Sequence, residues 1–279
     1  DYSMMNYARL IIYKHLYISL LMRVLKFGGS SLADASRVKN VANVIRYKID
    51  HGNQPRAIVV SALGKMTDHL SDMALLASKG NVQYKEVLHR FKSHHEKVVH
   101  ELFEDNAHTI LEEVHALNET LDQLLYGVFL VMEASARTMD YVLSFGERIS
   151  AFIVSNYLDS KGMPASFVDA REIIKTNRAF GAAQVDLELT YAKIQEHFKH
   201  HHDIQVITGF ISSAKGGLTT TLGRGGSDYT AALVGAALQT EAIEIWTDVN
   251  GVLTADPNKV EDAFTIKSMS YAEAIEMSH

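Results

Sequence analysis

Short apolar segments alternate with longer amphipathic segments along most of this chain of 279 residues. The apolar segments have the length of buried strands, and the amphipathic ones follow the 3.6-residue period of surface helices. A helix between two strands carries the chain back to the end of the sheet where it started, so successive strands run parallel. The pattern therefore predicts an α/β fold, a three-layer sandwich in which helices cover both faces of a mostly parallel sheet.

The boundaries of these segments define the expected elements. We predict strands at 24–27, 57–61, 166–169, 204–208 and 242–246, and helices at 34–50, 67–78, 141–158, 186–200 and from Tyr229 onward, with a two-helix hairpin over 82–126. No proline occurs between Pro55 and Pro164, which favours long helices there because proline breaks a helix interior. A hydrophobic content of 47% is sufficient for a substantial core.

Composition excludes several classes of function. The net charge is −6 without a long basic run, which argues against a nucleic-acid partner. The absence of cysteine excludes disulfides, thiol catalysis and cysteine-ligated zinc, and it is compatible with the cytoplasmic location that we expect. The apolar run at 10–22 carries Lys14 and His15 and is too short to span a membrane, so we expect no membrane partner.

The segment 219–228 concentrates an arginine, an aspartate, several hydroxyl groups and three glycines in ten residues. Gly223, Gly225 and Gly226 lack a Cβ, so their backbone N–H groups can approach an anion closely. Arg224 adds a planar guanidinium that can grip a carboxylate. Since the run from Tyr229 is predicted to be helical, the glycines lie at a helix N-terminus, and the segment predicts an anion site.

A second loop near the amino terminus has a similar character. Lys26 lies inside a short apolar strand, and Gly28, Gly29 and Ser30 follow that strand directly. A lysine in a buried strand is costly unless an anion pairs with it. Neither loop matches the Walker A or dinucleotide-binding motifs, so the sequence predicts an anion site of another type at Lys26.

Four motifs together resemble the aspartate kinases of the amino acid kinase family: KFGGSS at 26–31, SFGE at 144–147, TTTLGRGGSDYT at 219–230 and IWTDVNG at 245–251. The resemblance runs in order from about Met22 to His279. It implies the amino acid kinase (carbamate kinase-like) fold. It also implies phosphorylation of the side-chain carboxylate of L-aspartate by ATP with Mg²⁺, giving 4-phospho-L-aspartate, the first step of lysine, threonine and methionine biosynthesis.

The resemblance also implies roles for single residues. Lys26 is expected to contact the transferring phosphoryl group, and Asp228 to orient Lys26 or to hold a water of Mg²⁺. We expect no metal site built by the protein itself, because Mg²⁺ is bound mainly by ATP phosphates. Nucleotide contacts are implied for Lys26, Gly28, Gly29, Ser30, Thr247, Asp248, Asp256, Pro257, Asn258 and Lys259. Many relatives have an arginine after the Asp-Pro pair, so whether Asn258 or Lys259 reaches a phosphate stays open.

For the amino acid, the resemblance implies that Arg224 binds the α-carboxylate and Glu147 the α-ammonium, with Ser61, Thr67 and Ser227 completing the substrate site. Three alternatives stay open. The first is the kinase part of a bifunctional aspartokinase/homoserine dehydrogenase, and the second is a sibling kinase acting on glutamate, N-acetylglutamate or UMP. The third is a noncatalytic ligand-binding subunit of the same fold.

The domain organisation also follows from the resemblance. Residues 1–21 precede the first motif and are expected to be an extension outside the fold. Residues 22–279 are expected to be the catalytic domain without its C-terminal end, because aspartate kinases continue into a further lysine-bearing loop and regulatory domains. Ser270 and Glu273 form a capping box that predicts a final helix. We expect a homo-oligomer in the full-length protein.

Overall fold

The computed structural model describes residues 22–248, 251–256 and 259–277. The chain divides into two compact units, the first ending at Trp246 and the second beginning at Thr247. The predicted extension at 1–21 lies outside the described residues. Within the described ranges, no helix combines the length and the apolar character that crossing a membrane requires.

The strands of the first unit are β1 (Arg23–Phe27), β2 (Ala57–Val60), β3 (Ala165–Val168), β4 (Lys175–Thr176), β5 (Ile204–Thr208), β6 (Ile211–Ala214), β7 (Leu218–Thr221) and β8 (Ala242–Trp246). Its helices are α1 (Ala35–Asp50), α2 (Met66–Ser78), α3 (Tyr84–Phe103), α4 (Ala107–Val131), α5 (Ala136–Ser160), α6 (Ala170–Ile173), α7 (Leu187–His200) and α8 (Gly226–Leu238). Short 3-10 helices occur at Gly29–Leu32 and Glu104–Asn106.

The larger sheet has five strands in the order β3-β5-β2-β1-β8, and every neighbouring pair is parallel. In this register Lys26 lies opposite Val59 on one side and Ile245 on the other. Val60 at the end of β2 lies opposite Thr208 at the end of β5. The carboxyl ends of these strands therefore meet at one edge, which is where ligands bind in sheets of this kind.

Successive residues of the strands face opposite sides of the sheet, as the two-residue period requires. Leu25 and Phe27 belong to a core that includes buried residues of α1 to α5. Val24 and Val59 belong to a second core, which includes buried residues of α6, α7 and α8. The sheet is thus covered on both faces, and the predicted three-layer α/β fold with a mostly parallel sheet is confirmed.

Most helices begin where the sequence predicts. The Asp34 side chain caps α1 by accepting a hydrogen bond from the Arg37 amide at 2.9 Å, and Asp186 caps α7 in the same way. The predicted hairpin corresponds to α3 and α4. Helix α5 begins at Ala136 rather than at 141, because the Ser135 side chain caps it one turn earlier than its apolar pattern indicates.

A second, three-stranded sheet was not predicted. Strands β4 and β6 pair in parallel and β6 and β7 antiparallel, so residues 219–221 form a strand rather than part of a loop. The glycine-rich loop therefore leaves β7 of this small sheet, not a strand of the parallel one. These strands carry buried hydroxyl groups in place of alternating apolar residues. The Thr220 hydroxyl, for example, lies 2.7 Å from that of Thr176 and 2.9 Å from that of Ser212.

The second unit contains one short helix within its described residues, α9 (Tyr271–Met277). The predicted capping box is confirmed at its start. The Ser270 amide donates to Glu273 Oε2 at 2.7 Å, and the Glu273 amide donates to Ser270 Oγ at 3.3 Å. Leu253 and Thr265 form an antiparallel bridge in the same unit.

Candidate active site

A cavity of about 350 Å³, called the edge cavity below, opens at the carboxyl edge of the parallel sheet. Its lining includes every predicted catalytic and substrate-binding residue and two of the predicted nucleotide residues, Lys26 and Gly29. The predicted residues in the lining are Lys26, Gly29, Ser61, Thr67, Glu147, Arg224, Ser227 and Asp228. These residues come from four separate stretches of the chain, at 26–29, 61–67, 147 and 224–228. The fold thus gathers residues that the sequence motifs and the family resemblance singled out.

Lys26 reaches the edge cavity from the middle of the buried strand β1. Only 9% of the residue is exposed, and its Nζ lies 2.7 Å from Oδ1 of Asp228 in the first turn of α8. Asp228 is half exposed. The ion pair supplies the anionic partner that a buried lysine requires, and it leaves a carboxylate oxygen at the cavity surface.

The glycine-rich loop turns sharply before α8. Gly223 and Gly225 have φ angles of +74° and +72°, which residues with a Cβ rarely adopt, and Gly225 is the N-cap of α8. Arg224 lies between them with an exposed side chain on the cavity wall. It makes no ion pair or side-chain hydrogen bond with another residue of the described ranges. Its guanidinium is therefore available to a ligand.

Glu147 lies within α5, and only 2% of the residue is exposed. Its Oε1 accepts a hydrogen bond from the Ala62 amide at 3.3 Å, whereas its Oε2 has no hydrogen-bond partner among the described residues. Burial raises the pKa of Glu147 to about 8, although the Ala62 amide acts to lower it. A buried acceptor without a partner costs about 1–3 kcal/mol, so this oxygen favours a cationic or N–H-bearing ligand.

Hydroxyl groups surround the two charged positions. Ser61 Oγ donates to Ser227 Oγ at 3.0 Å, which joins the end of β2 to the first turn of α8. Ser150 Oγ donates to the Ser61 carbonyl oxygen at 2.7 Å and holds that loop against α5. Thr67 is half-buried in the first turn of α2 and lines the cavity as well.

The loop after β1 is closely packed. A Cβ on Gly29 would lie 2.7 Å from the Gly64 carbonyl oxygen and 2.9 Å from that of Ala62, so only glycine fits there. The Gly28 amide donates to the Trp246 carbonyl oxygen at 3.3 Å. In this arrangement the Gly28 N–H is already paired, so the predicted phosphate contact there would need this bond to break. Gly28 and Ser30 are not among the residues that line the edge cavity.

The other predicted nucleotide residues belong to the second unit or fall outside the described residues. Thr247 Oγ1 donates to Asp248 Oδ1 at 3.0 Å, and Lys259 Nζ lies 3.9 Å from Oδ2 of Asp256. Pro257 and Asn258 lie outside the described residues. The assignment of all six residues to the nucleotide stays a prediction.

Phe210 lines the edge cavity and was not predicted. Its φ angle is +66°, and the Ile211 amide donates to the Gly209 carbonyl oxygen at 2.6 Å, so Phe210 is the centre of a γ-turn. Its ring packs against Gly226, where an added Cβ would lie 2.8 Å from Phe210 Cδ2. The position directly after a parallel strand was the signal that could have identified it.

Asp140 was also missed, because nothing in its neighbouring sequence distinguishes it from a surface carboxylate. It is buried in the first turns of α5 and accepts hydrogen bonds from the Thr221 amide at 3.1 Å and the Thr221 hydroxyl at 2.8 Å. It also accepts from the Gly181 amide at 3.0 Å. Burial raises the pKa of Asp140, and these hydrogen bonds oppose that shift. Asp140 thereby fixes the strand end from which the glycine-rich loop departs.

Comparison with known proteins agrees with this geometry. The sequence profile of the amino acid kinase family matches residues 22–279. Aspartokinase 1, chloroplastic, from Arabidopsis thaliana is 38% identical over 267 residues, which cover 92% of this chain and 45% of that protein. A bifunctional aspartokinase/homoserine dehydrogenase from Daucus carota is 34% identical over 269 residues, which cover 95% of this chain and 29% of that protein.

A solved structure of E. coli aspartokinase III in complex with aspartate and ADP superposes with a TM-score of 0.83 at 32% sequence identity. The match covers 92% of this chain and 56% of that one, so the chain spans about half or less of the length of these relatives. The profile match extends over every motif that forms the edge cavity. This chain therefore belongs to the amino acid kinase family.

Proposed function

We propose that this chain transfers the γ-phosphoryl group of ATP to the side-chain carboxylate of L-aspartate, giving 4-phospho-L-aspartate and ADP. The observation that carries the proposal is the presence of two unsatisfied groups in the edge cavity, one carboxyl and one guanidinium. Glu147 Oε2 is buried without a hydrogen-bond partner among the described residues, and the exposed guanidinium of Arg224 faces the same cavity. An α-amino acid offers an ammonium to the first and a carboxylate to the second.

The reaction itself needs little covalent assistance from the protein. The aspartate side chain is ionised at neutral pH, so a carboxylate oxygen attacks the γ-phosphorus without a general base. A bond forms between this oxygen and the γ-phosphorus. The bond from phosphorus to the β–γ bridging oxygen breaks, and its electron pair leaves with ADP. The difficulty is repulsion between two anions, which positive groups must offset.

Lys26 is the group that offsets this repulsion in our proposal. Its Nζ is held at the sheet edge by Asp228, and both residues line the edge cavity. A phosphoryl oxygen that enters the cavity competes with Asp228 for the same ammonium. Through its ion pair with the same ammonium, Asp228 orients Lys26 toward the approaching phosphates.

Magnesium fits this site as a companion of the nucleotide. Within the described residues, no group of three His, Asp or Glu side chains could hold a metal ion by itself. Asp228 is a half-exposed carboxylate in the lining, suited to one water-mediated contact. We therefore propose that Mg²⁺ is bound chiefly by ATP phosphates and water, and that it neutralises phosphate charge.

The names of the relatives support aspartate as the acceptor. The Arabidopsis and carrot proteins are named aspartokinases, and the E. coli structure contains aspartate and ADP. Both monofunctional and bifunctional relatives match the same stretch, so the proposal concerns the kinase reaction alone. The wider expectations stay proposals: a role in lysine, threonine and methionine biosynthesis, assembly into a homo-oligomer and a cytoplasmic location.

A coupled assay of ADP release, with hydroxylamine trapping of the acyl phosphate, tests the reaction. We expect ADP release and hydroxamate formation with L-aspartate, and neither with L-glutamate, N-acetyl-L-glutamate or UMP. Titration calorimetry with L-aspartate separates binding from turnover. Aspartate binding without any hydroxamate would identify a noncatalytic ligand-binding protein instead, and turnover of another acceptor in preference to aspartate would identify a sibling kinase.

A further inference from the structure

A second cavity, of about 490 Å³, lies beside the beginning of α5 and is called the α5 cavity below. It is formed between the end of α4, the first turns of α5, helix α6 and the turn between β6 and β7. Its lining shares no residue with that of the edge cavity. A volume of this size is typical of pockets for small molecules.

The charged side chains that line the α5 cavity are all positive. Among the described residues that line it, none is an aspartate or a glutamate. Its polar lining consists of two arginines and four hydroxyl-bearing side chains: Arg137, Arg171, Ser135, Thr138, Tyr141 and Thr219. Guanidinium and hydroxyl groups are the donors that bind phosphate and carboxylate oxygens in proteins.

The two arginines differ in how many contacts their guanidinium groups already make with other residues. Arg171 pairs with Asp169 through Nη2 at 2.5 Å and donates from Nη1 to Thr219 Oγ1 at 3.1 Å. Arg137 is exposed and forms no ion pair or side-chain hydrogen bond with another described residue. Arg171 is thus fixed in place, and Arg137 is free to close onto a ligand.

A third arginine, Arg148, lies next to Arg171 without lining the cavity. Arg148 and Arg171 share Asp169, since Arg148 Nε lies 3.9 Å from the same carboxylate oxygen that Arg171 contacts. Arg148 Nη1 is buried without a partner among the described residues. Burial lowers the pKa of Arg148, the charge of Arg171 lowers it further, and Asp169 opposes both effects. Two guanidinium groups therefore share the Asp169 carboxylate.

Helix α5 adds to this field. It runs for 25 residues from Ala136, and its N-cap residue Ser135 lies in the cavity wall. The Thr138 amide is satisfied by Ser135 Oγ at 3.2 Å, but the helix dipole still places partial positive charge at this end. The helix dipole and the two arginines therefore both attract an anion to this cavity.

We propose that the α5 cavity is a second ligand site that binds the oxyanion group, phosphate or carboxylate, of a small metabolite. Arg171 and Thr219 hold one side of the anion, and Arg137 closes over the other. The site is independent of the proposed kinase reaction, because it uses none of the residues of the edge cavity.

Amide NMR of the full chain tests the proposal, with inorganic phosphate and succinate as separate probes. The titrations use the Arg224→Gln variant, in which anion binding at the edge cavity is weakened. We expect saturable shifts of the Ser135, Thr138 and Thr219 amides with at least one probe. A response to phosphate alone identifies a phosphorylated ligand, and a response to succinate alone identifies a carboxylate ligand.

Three further substitutions in that background decide whether the site is specific. Arg137→Gln should weaken binding about tenfold, the effect of losing one charge-assisted hydrogen bond. Arg137→Lys keeps the charge and should give an intermediate affinity. Arg90→Gln is the matched control, because Arg90 is an exposed arginine on α3 that lines neither cavity. The proposal is overturned if neither probe gives saturable shifts, or if Arg137→Gln and Arg90→Gln bind equally well.

Discussion

Lys26 Nζ lies 2.7 Å from Asp228 Oδ1, and the two partners differ sharply in their exposure. The lysine side chain is 11% exposed and the aspartate side chain 51%. The cation is thus fixed by the sheet, whereas the anion faces the edge cavity. A ligand phosphate can replace Asp228 as the partner of the Lys26 ammonium without displacing any part of the core. The proposed reaction requires such an exchange.

Lys26→Met should abolish phosphoryl transfer while leaving the fold and aspartate binding largely intact. The substitution removes the proposed contact to the transferring group, and the half-exposed Asp228 can be hydrated when its partner is lost. Turnover, aspartate affinity and the melting temperature are the measurements. Lys39→Met, at an exposed position of α1, is the control and should behave like the wild type. Near-normal turnover of Lys26→Met would remove Lys26 from the mechanism.

Arg224→Ala should raise the aspartate requirement far more than the ATP requirement. Loss of a bidentate charged contact to the α-carboxylate should cost roughly 2–5 kcal/mol of aspartate binding. Since Arg224 makes no ion pair within the described residues, its removal should leave the melting temperature nearly unchanged. Calorimetry with each ligand separates the two effects, and Arg90→Ala is the control. An equal loss of nucleotide binding would contradict the assignment.

Aspartate binding should become tighter as the pH rises to about 8, because the pKa of Glu147 is raised to about 8 by burial. Below that pH the unliganded site holds a neutral carboxyl, and binding an ammonium requires that proton to leave. The dissociation constant should therefore fall by up to about tenfold per pH unit and then level off. Calorimetry over this range in two buffers would detect the released proton.

The same shift has a consequence for stability that does not depend on any ligand. The unfolded chain loses the Glu147 proton near its ordinary pKa of 4.5, whereas the fold retains it to about 8. This group therefore destabilises the unliganded fold progressively as the pH rises through that window, by up to about 1.4 kcal/mol per unit. Glu147→Gln should remove this slope and the pH dependence of binding. Identical slopes in the two proteins would refute the raised pKa.

His95 should contribute to acid destabilisation. It is fully buried on α3, with Nδ1 2.8 Å from the Phe91 carbonyl oxygen, and burial lowers its pKa to about 4. The unfolded chain takes up the proton near pH 6.5, so stability from this group is lost as the pH falls from there to about 4. His95→Leu should show a shallower loss in acid than the wild type. His108→Leu, with its exposed ring, should not.

Two glycine substitutions should have opposite effects on stability. Gly29→Ala would bring Cβ to 2.7 Å from the Gly64 carbonyl oxygen, and a backbone atom cannot move aside cheaply. Gly127→Ala, toward the C-terminal end of α4, meets nothing within 4 Å and should stabilise the helix by up to about 1 kcal/mol. Denaturant melts of both variants measure the difference. Comparable stability of the two would mean that the loop after β1 relaxes freely.

The parallel sheet and its two helical layers were predictable, because strands and helices alternate with clear periods. Strands β6 and β7 were not predictable in this way. Most of their buried residues are serines and threonines, some of whose hydroxyl groups pair across the small sheet, and such pairing leaves no apolar pattern in the sequence.

Lys26 and Arg224 were predictable because they occur in unexpected sequence surroundings, whereas Glu147 was assigned through the family resemblance. A lysine inside an apolar strand and an arginine between glycines both require an explanation beyond packing. Phe210 and Asp140 were missed for the opposite reason, since a phenylalanine after a strand and an aspartate on a helix are ordinary residues. Their importance arises from the backbone that they contact in distant parts of the chain, at Gly226 and Thr221.

Helix α5 fixes the distance between Asp140 and Glu147. Asp140 anchors the strand that leads into the glycine-rich loop, and Glu147 follows two turns later on nearly the same face of the helix. The separation of about 10 Å between their α-carbons is thus set by helical rise alone and not by any flexible connection. Inserting or deleting a single residue between them would rotate Glu147 out of alignment, so the stretch between Asp140 and Glu147 should tolerate no change of length.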